Sequence, residues 1–137
     1  MIRYLLDTNV VSEIRKTRPH GAVTSWLASL LPEQVSISAV TLGELQAGIE
    51  ITRSLEPQKA EALTVWLDQI ASSREILPMN GLCFREWGRL KHRLSRALLE
   101  DAMIAASARV YRLTVATRNE RDFTFFDVPI LNPFKSP

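Results

Sequence analysis

The sequence predicts an α/β domain in which short parallel strands alternate with helices, and three observations carry that expectation. A nearly continuous apolar run, residues 2–6, turns abruptly into Asp7-Thr8-Asn9, the pattern of a buried parallel strand that ends at a polar edge. Further short strand-like runs follow, separated by stretches with helical periodicity. The length of 137 residues suits one layered domain with a continuous core and leaves no room for an ordinary second one, so residues 1–137 are read as a single unit.

Taken in order, a short helix is expected from Asn9 to about Lys16, stopped near Pro19 and Gly21. Val23, Trp26, Leu27, Leu30 and Leu31 give the stripe of a second helix ending at Pro32. Val35, Ile37 and Ala39 alternate with Ser36 and Ser38 as a second strand. A helix from Thr41 carries Leu42, Leu45 and Ile49 on its apolar side, with Glu44 facing elsewhere. Pro57 opens a longer helix through Ser73, and Glu75–Pro78 is a third strand. Asn80 caps a helix with the seam Cys83, Trp87, Leu90 and Leu94. Glu100–Ala108 begins the next helix, Leu113–Thr117 is a fourth strand, and Val128–Leu131 is a border strand because Pro129 cannot donate to a ladder. Residues 132–137 are expected to fray.

Composition narrows the chemistry. Hydrophobic residues make up 46% and charged residues 23%, and no apolar run approaches the roughly 20 residues needed to span a bilayer. Arg3 and Asp7 arrive too early for a signal peptide, so a cytoplasmic protein is expected. The single cysteine, Cys83, cannot supply a thiolate metal site, and His20 and His92 stand alone, which disfavours zinc. Net charge is only +2, yet nine of the residues between Arg85 and Arg121 are basic against four acids. That stripe fits either a solvated helix face or a track for a phosphate backbone.

Four acids fall where strands end or helices begin. Asp7 closes the first strand, Glu44 follows the second, Asp101 opens a helix, and Asp122 follows the fourth strand. In an open parallel sheet the crossover helices start at the carboxyl edge of the strands, the edge where ligands bind. Each acid also has a plainer structural account. Asp7 could simply cap a helix, Thr41-x-x-Glu44 fits a capping box, and Glu100 and Asp101 suit a helix dipole. Four uncompensated carboxylates in one crevice would instead call for a hard cation, Mg²⁺ or Mn²⁺. Such an ion activates water against a phosphodiester, with Arg118 or Arg121 holding the flanking phosphate, and this combination predicts nucleic-acid hydrolysis.

The segments Leu5-Leu6-Asp7-Thr8-Asn9 with Val11-Ser12-Glu13, Ser38–Leu45 with Gly48, Glu100–Ala108 and Thr117–Phe123 together resemble the PIN-domain ribonucleases, and among them the VapC and FitB-like toxins of toxin–antitoxin systems. The resemblance covers nearly the whole chain. It implies a twisted, mainly parallel five-stranded sheet between helices, Asp7 and Asp101 as principal Mg²⁺ ligands, and Glu44 and Asp122 completing the acidic site. It also implies an RNA substrate, a cognate antitoxin and a homodimer, without a membrane. Asn9, Thr117, Arg118, Asn119 and Arg121 are the expected substrate contacts. One departure is the tight join Leu94–Glu100, shorter than in relatives, which would let two helices merge and displace Asp101. A catalytically inactive RNA- or protein-binding module on the same fold is the alternative. A phosphatase with Asp7 as acceptor is less apt, since Asn9 stands where a second aspartate would be needed.

Overall fold

A computed structural model of the chain describes residues 1–92 and 98–135. Five strands, β1 (Tyr4–Leu6), β2 (Val35–Ser38), β3 (Glu75–Leu77), β4 (Thr114–Ala116) and β5 (Ile130–Leu131), form one sheet in the order β3-β2-β1-β4-β5. Every neighbouring pair is parallel. The helices are α1 (Thr8–Ile14), α2 (Gly21–Ala28), α3 (Ala39–Leu55), α4 (Pro57–Ser73), α5 (Gly81–Lys91), α6 (Leu99–Tyr111) and α7 (Glu120–Phe123).

The apolar run at the start of the chain lies in the middle of this sheet because both of its faces are covered. Leu5 packs with Ala102, Ile104, Ala105, Val115 and Phe123 on one side, while Leu6 packs with Val10, Val11, Val23, Ile37 and Ile70 on the other. Opposite faces for consecutive residues follow from the two-residue period of a strand. Tyr4, on the Leu6 side, meets Trp26 edge to face at 5.0 Å between ring centroids. From β1 the chain builds β2 and β3 on one flank, then returns to place β4 and β5 on the other. The strand order therefore reverses between β1 and β4, the crevice where such sheets take ligands.

Several boundaries differ from the sequence expectation. Helix α2 stops at Ala28, where the Ser29 N–H reaches back to Ser25 and Trp26 carbonyls and its hydroxyl donates to Trp26 at 2.6 Å. Leu31, expected in the buried stripe, is extended and 56% exposed, since a residue before proline avoids helical geometry. Strand β2 is buried at all four positions rather than alternating: the Ser36 hydroxyl donates to Glu75 at 2.6 Å, and Ser38 caps α3, so Ala39 is already helical. Helix α3 extends to Leu55, past the last buried residue Ile49, its end carried by Gln46, Glu50 and Arg53 bonded along the helix. Leu94 lies outside the described residues.

The tail does not fray as expected, at least through Lys135. Pro133 is buried, the Asn132 side chain donates to Glu120 and accepts the Phe134 N–H, and Lys135 pairs with Glu120 at 2.6 Å. Phe134 packs against His20 and beneath the Arg118 guanidinium, 3.8 Å from its ring centroid. A single aromatic side chain thus fastens a segment that composition alone marks as loose. No helix among the described residues is long and apolar enough to cross a membrane.

Candidate functional site

Strand β1 continues its ladder one residue past Leu6, through an Asp7 N–H to Ala116 carbonyl bond of 2.9 Å, and this delivers Asp7 to the sheet's carboxyl edge. Asp7 is 3% exposed and its carboxylate accepts three hydrogen bonds. Thr8 N–H donates to Oδ1 at 2.8 Å, while Thr117 Oγ1 at 2.7 Å and Asn9 Nδ2 at 3.1 Å donate to Oδ2. The helix-cap reading of Asp7 is therefore true of one oxygen, and the other belongs to the crevice. Burial nonetheless pushes its pKa up, against these donors and with help from the nearby Asp122 charge.

The capping-box reading of Glu44 does not hold. Ser38 caps α3, and Thr41 is buried inside the helix rather than at its end. Glu44 instead accepts from Thr8 Oγ1 at 2.8 Å, and Thr8 Oγ1 lies 3.1 Å from Thr41 Oγ1. Its carboxyl is pushed up by partial burial, then by the charges of Asp7 and Glu100.

Asp101 occupies the first turn of α6. Its pKa is pushed up to about 7, first by burial and then by the charges of Asp7, Asp122, Glu44 and Glu100. Asp101 therefore lies near enough to Asp7, Asp122 and Glu44 for their charges to act on its carboxyl. In the tight join that precedes it, residues 93–97 are outside the described residues. Among the described residues none of the four acids has an ion-pair partner.

The expected substrate contacts sit on the same rim, several in unexpected roles. Asn9 bridges the two strand ends, its Oδ1 accepting the Arg118 N–H at 3.2 Å and its Nδ2 3.4 Å from Thr117 Oγ1. Asn119 offers its N–H to Thr117 Oγ1 at 2.9 Å. The Arg118 guanidinium lies over Phe134 and 4.0 Å from Glu13, and both Arg118 and Arg121 are exposed. Much of the cationic stripe is committed to the fold. Arg109 donates to the Phe126 and Asp127 carbonyls at 3.0 and 2.7 Å and pairs with Glu86, and Lys91 covers Trp87 at 4.4 Å. Arg93 and Arg96 are outside the described residues.

Three neighbours escaped the sequence reading. Glu13 is buried, pairs with Lys16 at 2.9 Å and accepts the His20 N–H at 3.0 Å, joining α1 to the loop before α2. Thr8 and Thr41 join the acids through hydroxyls. An unusual buried acid on a short amphipathic helix could have marked Glu13; nothing local distinguishes Thr41 from a capping threonine.

The donor chemistry suits a hard, hydrated cation. It consists of oxygen only, with carboxylates raising one another's pKa and no cation among them. Among the described residues no group of three acids, histidines or cysteines is placed to hold a metal ion together, so there is no closed cage. Mg²⁺ does not require one, since it keeps several waters and takes one or two carboxylates.

Comparison with known proteins shows the family of the chain. The PIN domain family model matches residues 4–129. The chain is 34% identical to Toxin FitB of Neisseria gonorrhoeae over 95% of this chain and 97% of that one, and 28% identical to VapC ribonuclease Y4jK of Sinorhizobium fredii over 96% and 97%. The crystal structure of FitAcB from Neisseria gonorrhoeae superposes with a TM-score of 0.81 at 33% identity, covering 97% of this chain and 99% of that one. With a buried aspartate at the end of the central strand, three further acids around it and this match across nearly its full length, the chain belongs to the PIN domain family, in the company of the FitB and VapC toxins.

Proposed function

We propose that the chain is a metal-dependent endoribonuclease, the toxin of a toxin–antitoxin pair, working as one domain over residues 1–137. The observation that carries this reading is a buried Asp7 at the carboxyl edge of the central strand, with Asp101 near enough to Asp7, Asp122 and Glu44 for their charges to raise its pKa. Asp7 and Asp101 would hold Mg²⁺, with Mn²⁺ able to replace it. When bound, an ion of this class activates water and neutralises charge on the phosphodiester being cut.

The chain's own residues supply the rest. Thr117, Asn9 and Thr8 keep the Asp7 carboxylate in one orientation. Asp101, its pKa pushed up to about 7, would have to release its proton to serve as a carboxylate ligand. Glu44 and Asp122 would complete the acidic site and help to orient the attacking water. Arg121, Arg118 and the polar groups of Asn9, Thr117 and Asn119 hold RNA along the rim. Similarity to Toxin FitB supports a cognate antitoxin as protein partner, and we include a homodimer and a cytoplasmic site of action in the proposal.

The test is incubation of purified, antitoxin-free protein with total cellular RNA, with and without Mg²⁺, comparing wild type with Asp101→Asn and mapping new ends. Discrete new ends that need both Mg²⁺ and Asp101 support the reading; intact RNA in every lane from folded protein removes it. The alternative, a binding module that cuts nothing, draws on the absence of a closed acid cage among the described residues. It predicts RNA or partner binding indifferent to chelator and to Asp7→Asn.

A further inference from the structure

Residue 8 touches two of the four acids by different means. Its main-chain N–H donates to Asp7 Oδ1 at 2.8 Å and its hydroxyl donates to Glu44 Oε1 at 2.8 Å. Thr8 and Glu44 are 36 residues apart, and around this hydroxyl meet Asp7, which precedes α1, and Glu44, which lies within α3. A hydroxyl has one proton. Given to the Glu44 carboxylate, it leaves Thr8 Oγ1 only as acceptor toward Thr41 Oγ1 at 3.1 Å, so Thr41 must be the donor in that pair. Thr41 is fully buried, with no water to compete for its proton. The two hydroxyls are thereby aligned in one direction, Thr41 to Thr8 to Glu44, and hydrogen bonds in such a chain polarise one another.

We infer that Thr8 is a positioning residue that fixes the spacing and orientation of Glu44 against Asp7, and that Thr41 supports it by donating to the Thr8 hydroxyl. The inference rests on the metal-dependent reading above. A carboxylate that must meet a hydrated cation on one side needs its rotamer held from the other, and here the holder belongs to the residue that also caps Asp7. Groups that orient metal-site ligands in this way change metal affinity by about 10–100-fold when removed.

The test uses Mn²⁺ binding to the full chain, followed by electron paramagnetic resonance, alongside thermal unfolding and RNA cleavage. Thr8→Val keeps the shape and deletes the hydroxyl, and should weaken Mn²⁺ binding about 10-fold or more, with Thr8→Ser restoring it. Thr41→Val should weaken binding less, by up to about 10-fold, and Thr41→Ser should restore it. Because Thr8 acts through Glu44, Thr8→Val added to Glu44→Gln should change binding less than about 2-fold further, a non-additivity that general destabilisation would not give. Wild-type affinity in folded Thr8→Val, or full additivity with Glu44→Gln, overturns the inference while leaving the nuclease reading intact. A wild type that binds no Mn²⁺ overturns both.

Discussion

Thr117 Oγ1 donates to Asp7 Oδ2 at 2.7 Å, a buried bond between residues 110 positions apart that ties the end of β4 to the end of β1. The same oxygen accepts the Asn119 N–H, so one hydroxyl both steadies the central acid and shapes the turn into α7, where Asp122 sits.

Removing that hydroxyl should cost stability as well as activity. Thr117→Val leaves a buried carboxylate short of a donor and an N–H without its acceptor, a loss of about 1.5–3 kcal/mol for a bond to a charged group. Urea unfolding measures it, and Thr117→Ser should recover most of the loss. An unchanged midpoint for the valine variant would mean that the bond contributes nothing.

Asp101 predicts a gain of stability from a loss of charge. Its pKa is about 7 in the fold against 3.8 ordinarily, so between those values the folded chain holds a proton that the unfolded chain has released. Stability from this group is full below about pH 4 and declines as pH rises through about 7. Asp101→Asn should therefore raise the metal-free melting temperature at about pH 8, by roughly 4 °C for ~1 kcal/mol once solvent screening is allowed for, and leave it little changed near about pH 4. The same variant should not cleave RNA. Equal melting curves at both pH values contradict the crowding of acids described above.

Protons and cation compete for the same group. Mn²⁺ affinity should rise about tenfold per pH unit while Asp101 is protonated and level off above about 7. Titration across that range checks the slope. A flat profile would mean that Asp101 does not meet the ion.

Arg121 and Phe134 separate substrate binding from scaffolding. Arg121→Ala should raise KM for RNA by about 3–10-fold with little change in kcat, and should reduce the salt dependence of binding by about one ion. Phe134→Ala should instead destabilise the fold by about 1–3 kcal/mol, through lost packing against His20 and Arg118. Reversal of the two phenotypes, read by steady-state kinetics and urea unfolding, would exchange their roles.

Much of this was legible in the sequence because it depends on periodicity. The buried run before Asp7, the Pro57 start of α4 and the Asn80 cap are local signals, and each lies where local chemistry puts it. What was not legible depends on partners far away in the chain. Ser36 reads as solvent-facing until Glu75 is beside it, and Thr41 reads as a cap until Ser38 takes that place and Thr8 takes its hydroxyl. Asn132 to Lys135 look loose until Glu120 comes beside them and Arg118 lies over Phe134. In each case a polar or aromatic side chain settles a tertiary bond that no spacing rule encodes.

The reversal of strand order between β1 and β4 has a consequence for synthesis. Asp7 and Glu44 are synthesised before Asp101, Thr117 and Asp122, and the segment that clamps Glu120 follows them. An unfinished polypeptide therefore owns only half of its acids and cannot assemble them. On the proposed function, a nascent chain that has not yet reached Asp122 is without activity.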